Sequence, residues 1–458
     1  MRMRGLVFLI LCTTLCCVPT RAEEFVPISA KATVLIERTS GRILYAQNER
    51  EILPIASTTK IMTALLAIEL TSLDEPVTTG ANASGVEGTS LYLREGETLT
   101  MRNMLYGLML RSGNDAAVAI AEHIDGTVEH FANRMNMRAL ELGAQSHFVT
   151  PNGLDKDDNG ASALGIARIA AKALEYPAFR EIVSTKEATI PWPGREYARA
   201  LENKNKLLRH LPGATGVKTG FTNRAGRCLV FSCERDGMEL VGAVLHCGTW
   251  FESATALTEW GFARYRPRQM WNAGDTAQTA SVSGGRTSSV DALYAKSLAL
   301  PLAQGEEPEV LLQLFPLQAP VFEGQLIGHA VVNVDGETAC CIDLIASTHI
   351  EPRPSFREAL IQVLKGWLRA ISPTVAPSTA HHSKISDSPA GNVASISLSP
   401  SRSSIRSPLC SPSTARRTAP FTLAMRIRNR RTPPLSTTNV SVTRPSSGWN
   451  AWIVNPSR

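Results

Sequence analysis

Two short apolar runs, Ala32–Glu37 and Arg42–Ala46, turn about Ser40-Gly41 near the start of the chain. Three more, Gly216–Phe221, Arg227–Glu234 and Leu240–His246, come about 170 residues later, the last two joined across the hairpin turn Asp236-Gly237. Between these groups the apolar period is helical, over Met101–Leu110, Asp115–His123, Val128–Leu142 and Ala163–Leu174. Ile61, Met62, Ala64, Leu65, Leu66 and Ile68 cover so much of a further helix that it must be buried nearly all round. Ser253–Tyr265 closes the unit as another helix. Strands at both ends of a helical block leave one economical solution, an antiparallel five-stranded sheet whose first two and last three strands meet in space. Helices flank the sheet and extend as an inserted helical lobe. The fold class expected is mixed α/β, in one large domain from about Ala30 to Arg266.

The flanks differ in composition. Arg2 and Arg4, the apolar stretch Leu6–Val18 and the small residues Thr20 and Ala22 read as a secretory signal over 1–22, and a stretch of 13 residues is short for a membrane span. Residues 23–270 go to the large domain. Glu323-Gly324 and Asp335-Gly336 punctuate alternating apolar runs after a Gly/Ser/Thr-rich joint near Ser281–Ser289, so 271–352 is expected to be a small all-β domain. In 353–372, Phe356, Leu360, Val363, Leu364, Trp367, Leu368 and Ile371 form one stripe of an amphipathic helix, Ser355–Ile371, suited to a peripheral membrane contact. Residues 373–458 carry 18 serines, 11 prolines and a charge balance of +10, and are expected to be a disordered basic tail. That charge suits an anionic polymer or lipid headgroups, and the lack of any period equally suits an unselected extension. Residues 23–372 balance at −7, so the net +6 of the whole chain is no argument for a nucleic-acid partner. Beyond the signal remain Cys228, Cys233, Cys247, Cys340, Cys341 and Cys410, too sparse for a disulfide scaffold and without metal-site spacing.

Three short motifs carry chemistry. Ser57-Thr58-Thr59-Lys60 opens the buried helix, with the lysine one turn beyond the serine. Serine needs a base in reach, and a lysine serves only where burial or a second positive charge destabilises its ammonium. Taken alone, the match reads as an N-cap serine with a lysine nearby. Ser112-Gly113-Asn114 falls between two helical patterns, where a hydroxyl can relay protons and an amide can hold a carbonyl, or where Asn114 can simply cap a helix. Lys218-Thr219-Gly220 lies on the first returning strand. It offers a second charge, a hydroxyl for a carboxylate, and a glycine past which a substrate backbone can add as a further strand.

The three occur in the order Ser-x-x-Lys, Ser-x-Asn, Lys-Thr-Gly, a series already described for penicillin-binding proteins and class A β-lactamases. With Pro54–Lys60, Gly96–Thr100, Leu110–Ala117, Met135-Asn136, Pro151–Leu154, Asn205–Leu208 and Gly216–Thr222, the chain resembles the low-molecular-mass D-alanyl-D-alanine carboxypeptidases. Pro316–Gly328 resembles their C-terminal β domain, and Ser355–Ile371 sits where such enzymes carry a membrane-anchoring helix. The resemblance implies acyl transfer through a Ser57 acyl-enzyme, with the terminal D-alanine of a peptidoglycan stem peptide as leaving group and penicillins and other β-lactams as inhibitors. It makes Lys60 the base and Ser112 a proton relay, and gives Asn114, Lys218, Thr219 and Gly220 to substrate binding. Backbone N–H groups of Ser57 and Phe221 form an oxyanion hole. No metal or organic cofactor is implied, and the protein is expected to act outside the cytoplasm, in the periplasm or on the outer face of the cytoplasmic membrane.

The resemblance also implies an arginine ten residues before Trp260-Gly261-Phe262, where this chain has Trp250, and Arg224 and Arg227 are the candidates to replace it. Two alternatives share the fold. A class A β-lactamase needs a deacylating glutamate, for which Glu129, four residues before Asn133, is the nearest match. A non-catalytic wall-binding scaffold would have no need of all three motifs.

Overall fold

The computed structural model describes residues 28–154 and 158–371; the expected signal peptide and basic tail lie outside them. Five strands, β1 (Ala32–Glu37), β2 (Ile43–Gln47), β3 (Ala214–Thr222), β4 (Gly226–Arg235) and β5 (Met238–Leu245), form one antiparallel sheet in the order β2-β1-β5-β4-β3. The ends of the domain meet as the sequence pattern requires, with Ala32 opposite Leu245 and Glu37 opposite Leu240. Every residue of β1 and β5 is buried, so both strands read as continuous apolar runs rather than alternating ones.

Helices cover both faces. Val34, Ile36 and Val230 pack on one side against α1 (Lys60–Leu70) and α5 (Ala163–Ala173). Leu35, Leu229 and Phe231 pack on the other against α7 (Trp250–Arg264). The inserted lobe holds α2 (Met101–Tyr106), α3 (Asn114–Asp125) and α4 (Val128–Glu141), and α6 (Pro177–Ser184) follows α5. Thr100, Thr127 and Ser162 cap α2, α4 and α5 with their hydroxyls, each offsetting an orphan backbone donor.

Several elements depart from the sequence pattern. Residues 101–110 are not one α-helix, because α2 gives way to a wider π turn at Gly107–Arg111, which ends at Ser112 in the left-handed region (φ 68). Leu91 packs so closely on Gly107 that a Cβ there would collide with its side chain. The helix expected to open at Ser57 starts at Lys60, after a 3-10 turn over Ala56–Thr59. Helix α6 and the hairpin Glu187–Ile190/Arg199–Glu202 are too short to show a period. Ser281–Ser289 is no joint but the turn of a hairpin that pairs Thr276–Ser283 with Ser289–Tyr294. The β module begins at once after α7, where Tyr265–Trp271 pairs with Leu298–Ala303 beside a six-stranded sheet. Arg42 ties the module to β2: its guanidinium bonds the Pro301 carbonyl and Glu306 (2.8 Å) and lies over the Tyr265 ring.

A buried ion pair fixes the loop above the sheet edge. Arg199 and Glu97 pair through two hydrogen bonds of 2.6 and 3.0 Å, and Arg199 Nε donates to the Leu91 carbonyl. Removing one partner strands a buried charge, whereas removing both does not. Arg199→Met should therefore lower the unfolding free energy by about 3–5 kcal/mol, and Glu97→Leu/Arg199→Met by less. Urea denaturation checks this, and a double variant at least as unstable as the single one would contradict it.

Candidate active site

The site forms where the 3-10 turn before α1, the π turn before α3 and the edge strand β3 converge. Ala56 precedes Ser57 with a positive φ of 47, a conformation that costs energy outside glycine and is held by its surroundings. Gly220 on β3 runs against this turn: a Cβ there would stand 2.9 Å from the Ile55 carbonyl and 3.0 Å from the Ser57 amide. The strand reaches the serine only because the side chain is missing. From the other side, Gly153 (φ 77) brings the Pro151–Leu154 loop against Ala56, where any Cβ would collide with the Ala56 carbonyl. Thr63 Oγ1 donates to the Pro151 carbonyl at 2.6 Å and anchors that loop to α1.

Lys60 is completely buried. Its Nζ lies 2.9 Å from Ser57 Oγ, 2.7 Å from Asn114 Oδ1 and 2.6 Å from the Asn152 carbonyl. Asn114 Nδ2 donates to the Glu87 carbonyl at 2.6 Å, which fixes the orientation of its amide. Two of the lysine's three neighbours can thus only accept. Burial, then the charges of Lys218 and Lys204, hold the Lys60 ammonium well below its ordinary 10.5, with Asp115 opposing. A neutral amine has two N–H groups, which satisfy Asn114 and Asn152, and its lone pair is left facing the Ser57 hydroxyl. In that geometry a neutral Lys60 amine can accept the proton of the Ser57 hydroxyl.

Ser57, Ser112, Thr219, Gly220 and Phe221 line an open cleft of about 730 Å³. Lys60, Asn114 and Lys218 stand in the wall behind it, each nearly or wholly buried. Lys218 Nζ donates to the Thr219 carbonyl at 2.9 Å, and burial, with the charge of Lys204, lowers it to about 7. Ser112, at the end of the π turn, faces the same cleft as Ser57. Glu129 is exposed and borders a separate groove with Thr127 and Asn152.

Other contributors carry no motif of their own. Lys204 lines the cleft and depresses both buried lysines. It is presented by two Asx turns, in which Asn203 Oδ1 accepts from the Asn205 amide and Asn205 Oδ1 from the Leu207 amide. The alternating asparagines were the available signal. Asp115, fully buried, accepts from Ser90 Oγ and from the Leu91 and Leu93 amides, and so folds the cleft's upper loop. The described cysteines are all free thiols, and among the described residues no cluster of three or more His, Cys, Asp and Glu side chains could hold a metal ion.

Comparisons with known proteins show what the whole chain is similar to. Residues 19–249 match the family model described as D-alanyl-D-alanine carboxypeptidase, and residues 265–352 match that of the penicillin-binding protein 5 C-terminal domain. The chain is 32% identical over 321 residues to D-alanyl-D-alanine carboxypeptidase DacF of Bacillus subtilis, covering 67% of this chain and 82% of the relative. It is 31% identical over 361 residues to DacA of Haemophilus influenzae, covering 74% and 89%. The solved structure of penicillin binding protein 5 from Haemophilus influenzae superposes with a TM-score of 0.61 at 29% identity, over 71% of this chain and 98% of that one.

The depressed lysines have a consequence for stability. Between about 7 and the ordinary 10.5, Lys218 is protonated in the unfolded chain but largely neutral in the folded one. The unfolded state then binds more protons, so unfolding free energy rises with pH across that window. Below about 7 both states hold the proton and the penalty of burying the charge is fully present. Lys218→Met should flatten the rise between pH 7 and 9.5 in urea denaturation, leaving the part owed to Lys60. Parallel slopes in parent and variant would contradict it.

Proposed function

The chain belongs to the D-alanyl-D-alanine carboxypeptidase family, and on that premise we propose that Ser57 is its nucleophile and Lys60 the base that activates it. The observation that supports this reading best is the buried Lys60 amine, held by two acceptors with Ser57 Oγ as its remaining neighbour. The family's reaction is serine-type acyl transfer from the terminal D-Ala-D-Ala of a peptidoglycan stem peptide. Ser57 attacks the carbonyl of the penultimate D-alanine while Lys60 takes the hydroxyl proton. The oxyanion is met by the Ser57 and Phe221 N–H groups, each worth about 3 kcal/mol in comparable hydrolases. Ser112, across the cleft, passes a proton to the leaving D-alanine amine, and water then hydrolyses the ester.

Asn114 is engaged at both ends of its amide, so its part in this scheme is to hold and orient Lys60. Lys218 acts from the wall, keeping Lys60 neutral and supporting the carbonyl of Thr219, whose hydroxyl meets the substrate carboxylate. Gly220 leaves room for the substrate to run along β3 as an added strand. A penicillin presents a strained amide to the same serine and leaves a slowly released ester. Glu129 borders a groove other than the Ser57 cleft, which disfavours the fast deacylation of a class A β-lactamase.

The family acts on the cell wall, outside the cytoplasm, which agrees with a cleaved signal over 1–22. Among the described residues no helix is long and apolar enough to cross a membrane. Helix α8 (Phe356–Ile371) begins with a capping box between Ser355 and Glu358 and leaves Phe356, Leu364, Trp367 and Leu368 exposed. Such a face suits the bilayer interface.

Two experiments test these readings. With a peptide ending in D-Ala-D-Ala, the parent should release D-alanine and Ser57→Ala none, with penicillin labelling lost in parallel. Release by Ser57→Ala at the parental rate would overturn the assignment of the nucleophile. In flotation with phosphatidylglycerol-containing vesicles, the chain ended at Ser372 should rise with the lipid, and its Leu364→Glu/Trp367→Glu variant should stay below. Equal recovery of the two would contradict anchoring through α8.

A further inference from the structure

A carboxypeptidase must hold a terminal carboxylate, and the buried lysines are poorly placed to do it alone. Lys218 is 1% exposed, does not line the cleft, and spends a donor on the carbonyl of its own neighbour Thr219. At neutral pH it is also only partly charged. Trp250, at the start of α7, contributes an uncharged indole to the cleft wall.

Arg227 differs on each count. Of the described residues lining the cleft, it alone carries a guanidinium, a group that stays charged at every working pH and matches a carboxylate with paired donors. It lies on β4 directly opposite Phe221 of β3, and residues paired in this way project to the same face of the sheet. Thr219, two residues before Phe221 on that face, is its diagonal neighbour, within reach of a long side chain. One arm is already oriented, with Nη1 donating to the Gly248 carbonyl at 2.9 Å. The remaining N–H groups have no hydrogen-bond partner among the described residues.

We propose that Arg227 binds the free carboxylate of the terminal D-alanine, together with the Thr219 hydroxyl, and so sets the preference for a peptide that ends in an acid. Arg224 lies on the turn between β3 and β4 and does not line the cleft. The assignment rests on the reading of the Ser57 cleft given above. It makes Arg227 a specificity residue that touches the substrate away from the scissile bond and leaves the proton transfers to Lys60 and Ser112.

The test compares two peptides that differ only at the C-terminus, D-Ala-D-Ala as the free acid and as the amide, on the full chain and on Arg227→Ala and Arg227→Lys. The parent should prefer the acid. Arg227→Ala should reduce kcat/KM for the acid by about 10- to 100-fold, as expected for loss of a charge-assisted pair, mainly through KM, and change the amide less than about threefold. Arg227→Lys, which keeps the charge, should recover part of the preference. Equal losses on both peptides, an undiminished preference in Arg227→Ala, or a parent without preference would each overturn the assignment. A parent that releases nothing from either peptide would overturn the reading of the cleft itself, and the assignment with it.

Discussion

Everything in the cleft depends on one lysine amine held inside the protein, where burial and neighbouring charge favour its uncharged form. Lys60 has no exposure to water and three oxygen neighbours, two of which can only accept. Burying an ammonium is costly unless it is paired, and the positive charge of Lys204, with that of Lys218 when protonated, adds to the cost against the opposing Asp115. The inexpensive state is the uncharged one, and its lone pair has the Ser57 hydroxyl as its remaining partner. The α/β frame supports this arrangement. Helix α1 is buried on nearly every side, so Lys60 cannot turn outward to find solvent.

Close backbone approaches complete the site. The edge strand β3, the 3-10 turn before α1 and the Pro151–Leu154 loop meet at distances that tolerate no Cβ at Gly220 or Gly153. The first lets a strand edge run beside Ser57. The second delivers the Asn152 carbonyl to Lys60. Ser112 is set by a different device, a π turn ending in a left-handed residue, a distortion of the kind that recurs at functional sites. Beside it Asp115 gathers three donors from the loop above.

Much of this was legible in the sequence because it rests on local signals. The central strands announced themselves as unbroken apolar runs, and their separation by helices dictated how the sheet closes. Ser57, Lys60, Ser112 and Lys218 stood in short motifs with a chemical rationale. What stayed hidden is carried by backbone atoms and by tertiary placement. The Asn152 carbonyl has no residue type to mark it. Lys204 looks like any surface lysine until the fold brings it to the cleft, within electrostatic reach of Lys60 and Lys218. The Ser281–Ser289 segment has the composition of a linker, yet cross-strand pairing makes it a hairpin turn. The π turn could not be read from a period that fits an α-helix equally well.

The protonation state of Lys60 is open to direct observation. Lysine side chains labelled with 13C at Cε report their ionisation by NMR, and comparison with Lys60→Met identifies the relevant resonance. A neutral amine facing Ser57 requires a titration midpoint well below the ordinary 10.5, with the resonance in its uncharged position at neutral pH. A midpoint at or above 10.5 would mean a buried ammonium, and Lys60 could not then be the base.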